Sequence, residues 1–73
     1  MGADLKDVLA VQLRQARNRA GLTQEELAES AQLSPRYVGS IERGTVSASV
    51  TVLGWLAAAL GLDAAELIAK RRR

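Results

Sequence analysis

Neither histidine nor cysteine occurs in this chain. Without cysteine there is no disulfide and no thiolate metal site. Without histidine the commonest general base and the commonest metal ligand are missing. The eight Asp and Glu residues are scattered along the chain. Three of them already have a structural use: Glu26 follows Thr23, and Glu66 follows Asp63, at the three-residue spacing of a capping box. The reading is therefore not an enzyme, with no catalytic residue, no metal and no cofactor expected. What remains is donor chemistry, arginine's above all. Its planar fork can give two hydrogen bonds to one pair of acceptors, such as O6 and N7 of a guanine.

Donors act only where a scaffold holds them, and the vocabulary of that scaffold is helical. Ala, Leu, Glu, Gln and Arg dominate, and period-two alternation is scarce. Leu5, Leu9, Leu13, Ala16 and Ala20 form one stripe of a helix from about Asp4 to Arg19, stopped by Gly21. Thr23 opens a second helix, about Gln24–Ser30, that buries Leu27, Ala28 and Ala31. Ser34 caps a third with Pro35 at its first position, where a missing N–H costs nothing. Val38 and Ile41 face inward, and Gly44 ends it. Ser49 caps a fourth, about Val50–Leu60, with Val50, Leu53, Leu56, Ala57 and Leu60 inward and Gly61 as its stop. A fifth starts after Asp63 and is expected to run into Lys70 and the three arginines, cations that suit the negative end of a helix dipole. The fold class is all-α.

Seventy-three residues make one domain at most, spanning 1–73. A chain this short buries only about 60% of its unfolded surface, so a second subunit would help it. The net charge of +2 carries little information, because Arg71, Arg72 and Arg73 supply three positive charges and leave residues 1–70 at −1. No apolar run approaches the ~20 residues of a membrane span, and MGADLKDV lacks a signal-peptide pattern. A cytoplasmic protein without membrane attachment is the expectation.

Two short helices joined by about four residues are the geometry in which the second can enter a major groove. Here the unit is Gln24–Arg43, with Ala31–Ser34 as the turn. Ala28 is small at the crossing, and Leu27, Leu33, Val38 and Ile41 supply the shared core. The string GLTQEELAESAQLSPRYVGSIERG resembles the Cro/C1-type (XRE-like) helix-turn-helix family, which includes lambdoid phage repressors. ASVTVLGWLAAALGLD resembles that family's fourth helix and the lead into its fifth. The likeness covers about Leu9–Ile68, and RYVGSIERG resembles most closely the controller proteins of restriction–modification systems.

The resemblance implies a five-helix, lambda-repressor-like DNA-binding domain with a central helix-turn-helix at 24–43. It places Ser34, Arg36 and Ser40, with Pro35, where the recognition helix faces base edges. It places Gln24, Tyr37, Arg43 and Thr45 where the family touches the DNA backbone. Arg17 and Glu42 match a pair that forms a partly buried salt bridge between the first and third helices. Two positions depart from the pattern. Pro35 stands where phage repressors often carry a glutamine that reads adenine, and proline has no donor. Gln32 stands where the turn usually has glycine, so a non-glycine residue must take a left-handed conformation.

Trp55, the only tryptophan, falls beside the inward set of the fourth helix. It either covers the end of the first helix of its own chain or meets a second copy. The second reading is adopted, with Leu62, Leu67 and Ile68 completing a homodimer interface. The expected function is sequence-specific binding of duplex DNA as a homodimer on a two-fold operator, giving repression or autoregulation without a small-molecule effector. The alternative is an antitoxin-like protein whose main partner is a toxin.

Overall fold

Helix starts and stops in this chain are set by a few adjacent residues each. The computed structural model describes residues 4–69. It forms α1 (Leu5–Arg19), α2 (Gln24–Ala31), α3 (Pro35–Glu42), α4 (Val50–Leu60) and α5 (Ala64–Ile68), with no strand among the described residues. At the start of α2, Glu26 N–H donates to Thr23 Oγ1 at 3.0 Å, and Thr23 N–H donates to Glu26 Oε1 at 2.8 Å. These bonds satisfy two donors that the first turn of a helix leaves open. Ser34 accepts from Tyr37 N–H at 3.0 Å and Ser49 from Val52 N–H at 3.1 Å. At α5 the return bond from Asp63 N–H to Glu66 Oε2 is long, at 3.5 Å.

Four helices end in one motif, with a 6→1 and a 5→2 backbone bond around a left-handed residue. After α1 the bonds are Leu22 N–H to Arg17 O and Gly21 N–H to Asn18 O. The same pair recurs at Leu33 and Gln32, at Thr45 and Gly44, and at Leu62 and Gly61. Three of the left-handed residues are glycine, and the fourth is Gln32 at φ 61°. An L side chain strains that conformation, while the bonds around it hold it in place. Gln32 is exposed, so its side chain offsets little of the strain. Gln32→Gly is expected to stabilise the fold by about 0.4–1 kcal/mol, strain relief outweighing glycine's chain entropy. That corresponds to a melting temperature a few degrees higher. A thermal melt that moves down instead would refute the strain argument.

The five helices close a ring of contacts. α1 packs on α3 and α5, α2 on α3 and α4, and α4 on α5. Inside lie Leu9, Leu13 and Ala16 of α1, Leu27, Ala28 and Ala31 of α2, Val38 and Ile41 of α3, Leu53, Leu56 and Ala57 of α4, and Leu67 of α5. Leu33 and Leu60 are half-buried against this core. Three positions assigned to the inner stripes lie outside it: Leu5, Val50 and Ala20 are exposed, Val50 by 86%. Leu5 and Val50 are each the first residue of a helix, and that turn overhangs the core before the stripe reaches it. Ala20 already belongs to the terminal turn of α1.

α5 is shorter than its sequence implies. Ala69 is extended, at φ −79° and ψ 131°, so the helix stops at Ile68. Gln12 of α1 meets the carbonyls at this end. Its amide donates to Ala69 O at 2.9 Å and to Glu66 O at 3.4 Å, tying the end of α5 to α1. Lys70 and Arg71–Arg73 lie outside the described residues.

Candidate nucleic-acid interface

α3 is held at its C-terminal end and presents its N-terminal half outward. Glu42, its last residue, is 3% exposed and is the one buried charged residue among those described. An unpaired carboxylate in such a place would be costly, and here it accepts three hydrogen bonds. Arg17 Nε donates to Oε2 at 2.6 Å, Arg17 Nη2 to Oε1 at 3.1 Å, and Gln24 Nε2 to the same Oε1 at 3.0 Å. A third nitrogen of Arg17 donates to Leu22 O at 2.8 Å. The Glu42 hydrogen bond raises the Arg17 pKa above its usual value against an opposing effect of burial, so Arg17 is a fixed cation. The inward-facing salt bridge implied for Arg17 and Glu42 is thus present, and it joins α1, α2 and α3 at one point.

Arg14 completes the anchor. Its Nη1 donates to the Glu42 carbonyl at 3.0 Å, capping the end of α3. Sequence reasoning missed it, although Arg14 precedes Arg17 by three residues and so shares its face of α1.

With its far end fixed, α3 exposes Ser34, Pro35 and Arg36 while Tyr37 and Ser40 are half-buried. Arg36 enters neither ion pair found among the described residues. Its donors point to solvent. Ser34 Oγ is occupied as an acceptor by Tyr37 N–H, which leaves the hydroxyl proton to donate. Tyr37 packs its ring against the core. Arg43 follows the last turn of α3 and folds back along it, with Nη2 donating to Ser40 Oγ at 3.3 Å. The outer face of α3 therefore carries two exposed cations, Arg36 and Arg43, and its one carboxylate is buried and neutralised.

Two of the positions that the resemblance assigns to the DNA backbone bond within the chain. One amide N–H of Gln24 is used on Glu42, although its backbone N–H, in the first turn of α2, has no intrahelical acceptor. Thr45 turns both its donors inward, with N–H and Oγ1 bonding to Ser40 O at 3.1 and 3.0 Å. In this structure Thr45 caps α3.

A helix pair that crosses at a fully buried Ala28, with the second helix anchored behind and cationic in front, has the geometry of a groove reader. A sequence model of the helix-turn-helix domain family matches residues 8–69. The chain belongs to that family. It is a DNA-binding helix-turn-helix transcriptional regulator of the Cro/C1 type, which is not an enzyme class. Control protein C.SmaI of Serratia marcescens is 37% identical over 68 residues, covering 93% of this chain and 81% of that protein. Among solved structures, the restriction–modification controller protein C.AhdI of Aeromonas hydrophila superposes with a TM-score of 0.82 at 37% identity, over 85% of this chain and 94% of that one. The clp gene regulator ClgR of Corynebacterium glutamicum gives 0.85 at 35% identity, over 89% and 69%. The all-α, five-helix expectation holds, and no helix among the described residues is long and apolar enough to cross a membrane.

This helix-turn-helix regulator also carries apolar surface away from α3. Trp55 is 47% exposed. It borders a groove formed with Ser30, Ala31 and Gln32 of the α2 end and with Ala58 and Ala59. Across that groove it faces the C-terminal end of α2. Leu62 and Ile68 are half-buried against the core. Leu67 is 1% exposed and belongs to the core outright, so it has no surface to offer a partner. Val50, which sequence reasoning placed inside, instead lines a shallow groove with Leu5, Leu9, Leu53 and Ile68. The outer face of α4 then reads Val50, Thr51, Gly54, Trp55 and Ala58, and no charged residue stands between Arg43 and Asp63.

Proposed function

We propose that this regulator binds a two-fold duplex site as a homodimer and represses, or regulates its own synthesis, by occupying a promoter. In this reading α3 lies in the major groove. Arg36 reads a guanine, and Ser34 and Ser40 complete the base contacts. Gln24, Tyr37 and Arg43 hold the backbone and fix the register. The observation that carries it is the anchored α3, whose buried Glu42 fixes its axis while Arg36 stands free at its outer end.

One chain has one α3, and half-sites lie about 34 Å apart, centre to centre. Two copies are needed to read both. The charge-free outer face of α4 is the surface that suits a second copy: Val50, Gly54 and Ala58 form one row beside Trp55, and the small Gly54 and Ala58 let a partner helix approach. Leu62 and Ile68 would contribute at its margin. Sedimentation at about 100 micromolar in moderate salt is expected to give a dimer, and Trp55→Glu a monomer. A monomeric parent protein would reject this part of the reading.

The decisive experiment is selection from random duplexes, with the mass of the complex measured. It is expected to return an inverted repeat with one guanine per half-site, bound by two chains. A set of duplexes with no common sequence would contradict the proposal, as would capture of a single asymmetric half-site by one chain.

A further inference from the structure

Gly39 sits inside α3 and is buried, although glycine in a helix interior is unfavourable relative to alanine. A β-carbon added there would stand 3.2 Å from Arg43 Nη1, 3.5 Å from Gln24 Oε1 and 3.8 Å from Gln24 Nε2. The Gln24 distances are ordinary contacts, and that amide is pinned by Glu42. The Arg43 distance is tight, so a side chain at residue 39 would displace the guanidinium by a few tenths of an ångström from this pose. The arginine lies back along α3, bonded to Ser40, because residue 39 leaves it room. In that pose its guanidinium and the Gln24 amide, from two different segments of the helix-turn-helix, both come within 4 Å of the space a side chain at residue 39 would fill.

We propose that Gly39 is a positioning residue for DNA binding. The missing side chain seats Arg43 against Gln24, and the two donors grip the same backbone phosphate. This rests on the DNA-binding reading above and adds the position that sets the grip.

The test uses the parent protein, Gly39→Ala, Arg43→Ala and the double variant. Each is titrated onto the selected duplex and a scrambled one across a salt series, with thermal melts alongside. Gly39→Ala is expected to melt at or above the parent temperature, since alanine favours the helix and a flexible side chain absorbs the clash. It is expected to weaken binding to both duplexes by roughly three- to tenfold, part of the worth of a charge-assisted contact, and to flatten the salt dependence toward that of Arg43→Ala. In the Arg43→Ala background the same change should matter less than about twofold, because the coupling partner is gone. Gly39→Ala in an Arg43→Lys protein is a second check, because a slender ammonium does not need the seat. Equal losses with and without Arg43, or no loss at all, would overturn the inference. A parent protein that binds neither duplex would instead overturn the DNA-binding reading itself.

Discussion

Arg17→Ala is expected to cost about 3 kcal/mol of stability, the low end of the range for stripping one partner from a buried ion pair. The Glu42 carboxylate would lose both Arg17 bonds and keep only the Gln24 amide, in a site 3% exposed. The low end applies because Arg17 is itself 14% exposed and Gln24 remains. Domains of this length have only about 4–11 kcal/mol in total, so the melting temperature should fall by more than about 10 °C. Arg19→Ala, two residues on and exposed, should stay within about 0.5 kcal/mol of the parent. Where both proteins are folded, Arg17→Ala should keep its preference for the selected duplex, because Arg17 faces inward. If Arg17→Ala melts like Arg19→Ala, the three-helix anchor contributes nothing and the fixed axis of α3 needs another cause.

Arg36→Ala is expected to abolish most discrimination, about 1–3 kcal/mol per half-site, while leaving most non-specific binding intact. The other exposed groups of α3 are poorer readers. Pro35 has no donor, and Ser34 and Ser40, whose oxygens already accept from Tyr37 N–H and Arg43, each have a single hydroxyl proton to donate. Arg36 alone offers an unengaged fork. Arg36→Lys should keep the charge and lose the bidentate geometry, recovering affinity for scrambled DNA more than preference for the selected site. Arg43→Ala should differ in kind, weakening all duplexes alike and reducing the salt slope by about 1 per subunit. Equal losses of Arg36→Ala on both duplexes would assign Arg36 to phosphate and remove the proposed reader.

Much of the fold was legible because its signals are local. Thr23 with Glu26, Ser34 with Pro35, and Ser49 lie within one turn of the groups they cap, so spacing alone locates them. Gln32 is different: helix signals place a turn there, but only the family resemblance marks it as a left-handed position. The same is true of Arg17 and Glu42, which are 25 residues apart and have no local signature. Periodicity identifies the inward face of a helix but not how far the core extends along it, which is why Leu5 and Val50 were placed inside. Leu67 failed in the opposite sense, as a surface position that the α1–α5 packing buries. Arg14 and Gln12 act on backbone carbonyls, and an acceptor that every residue possesses leaves no trace in a sequence. Gly39 is legible only once Arg43 is seen folded over it.

The central claim is that this surface reads sequence and does not merely attract phosphate. The direct measurement is the ratio of dissociation constants for the selected and scrambled duplexes at one physiological salt concentration, using the parent protein. The anchored α3 with its free Arg36 predicts a ratio of about 1,000 or more, the lower bound for specific recognition by proteins of this kind. A ratio near one, with both affinities falling equally steeply with salt, would contradict the claim and leave only a basic surface on a helical fold.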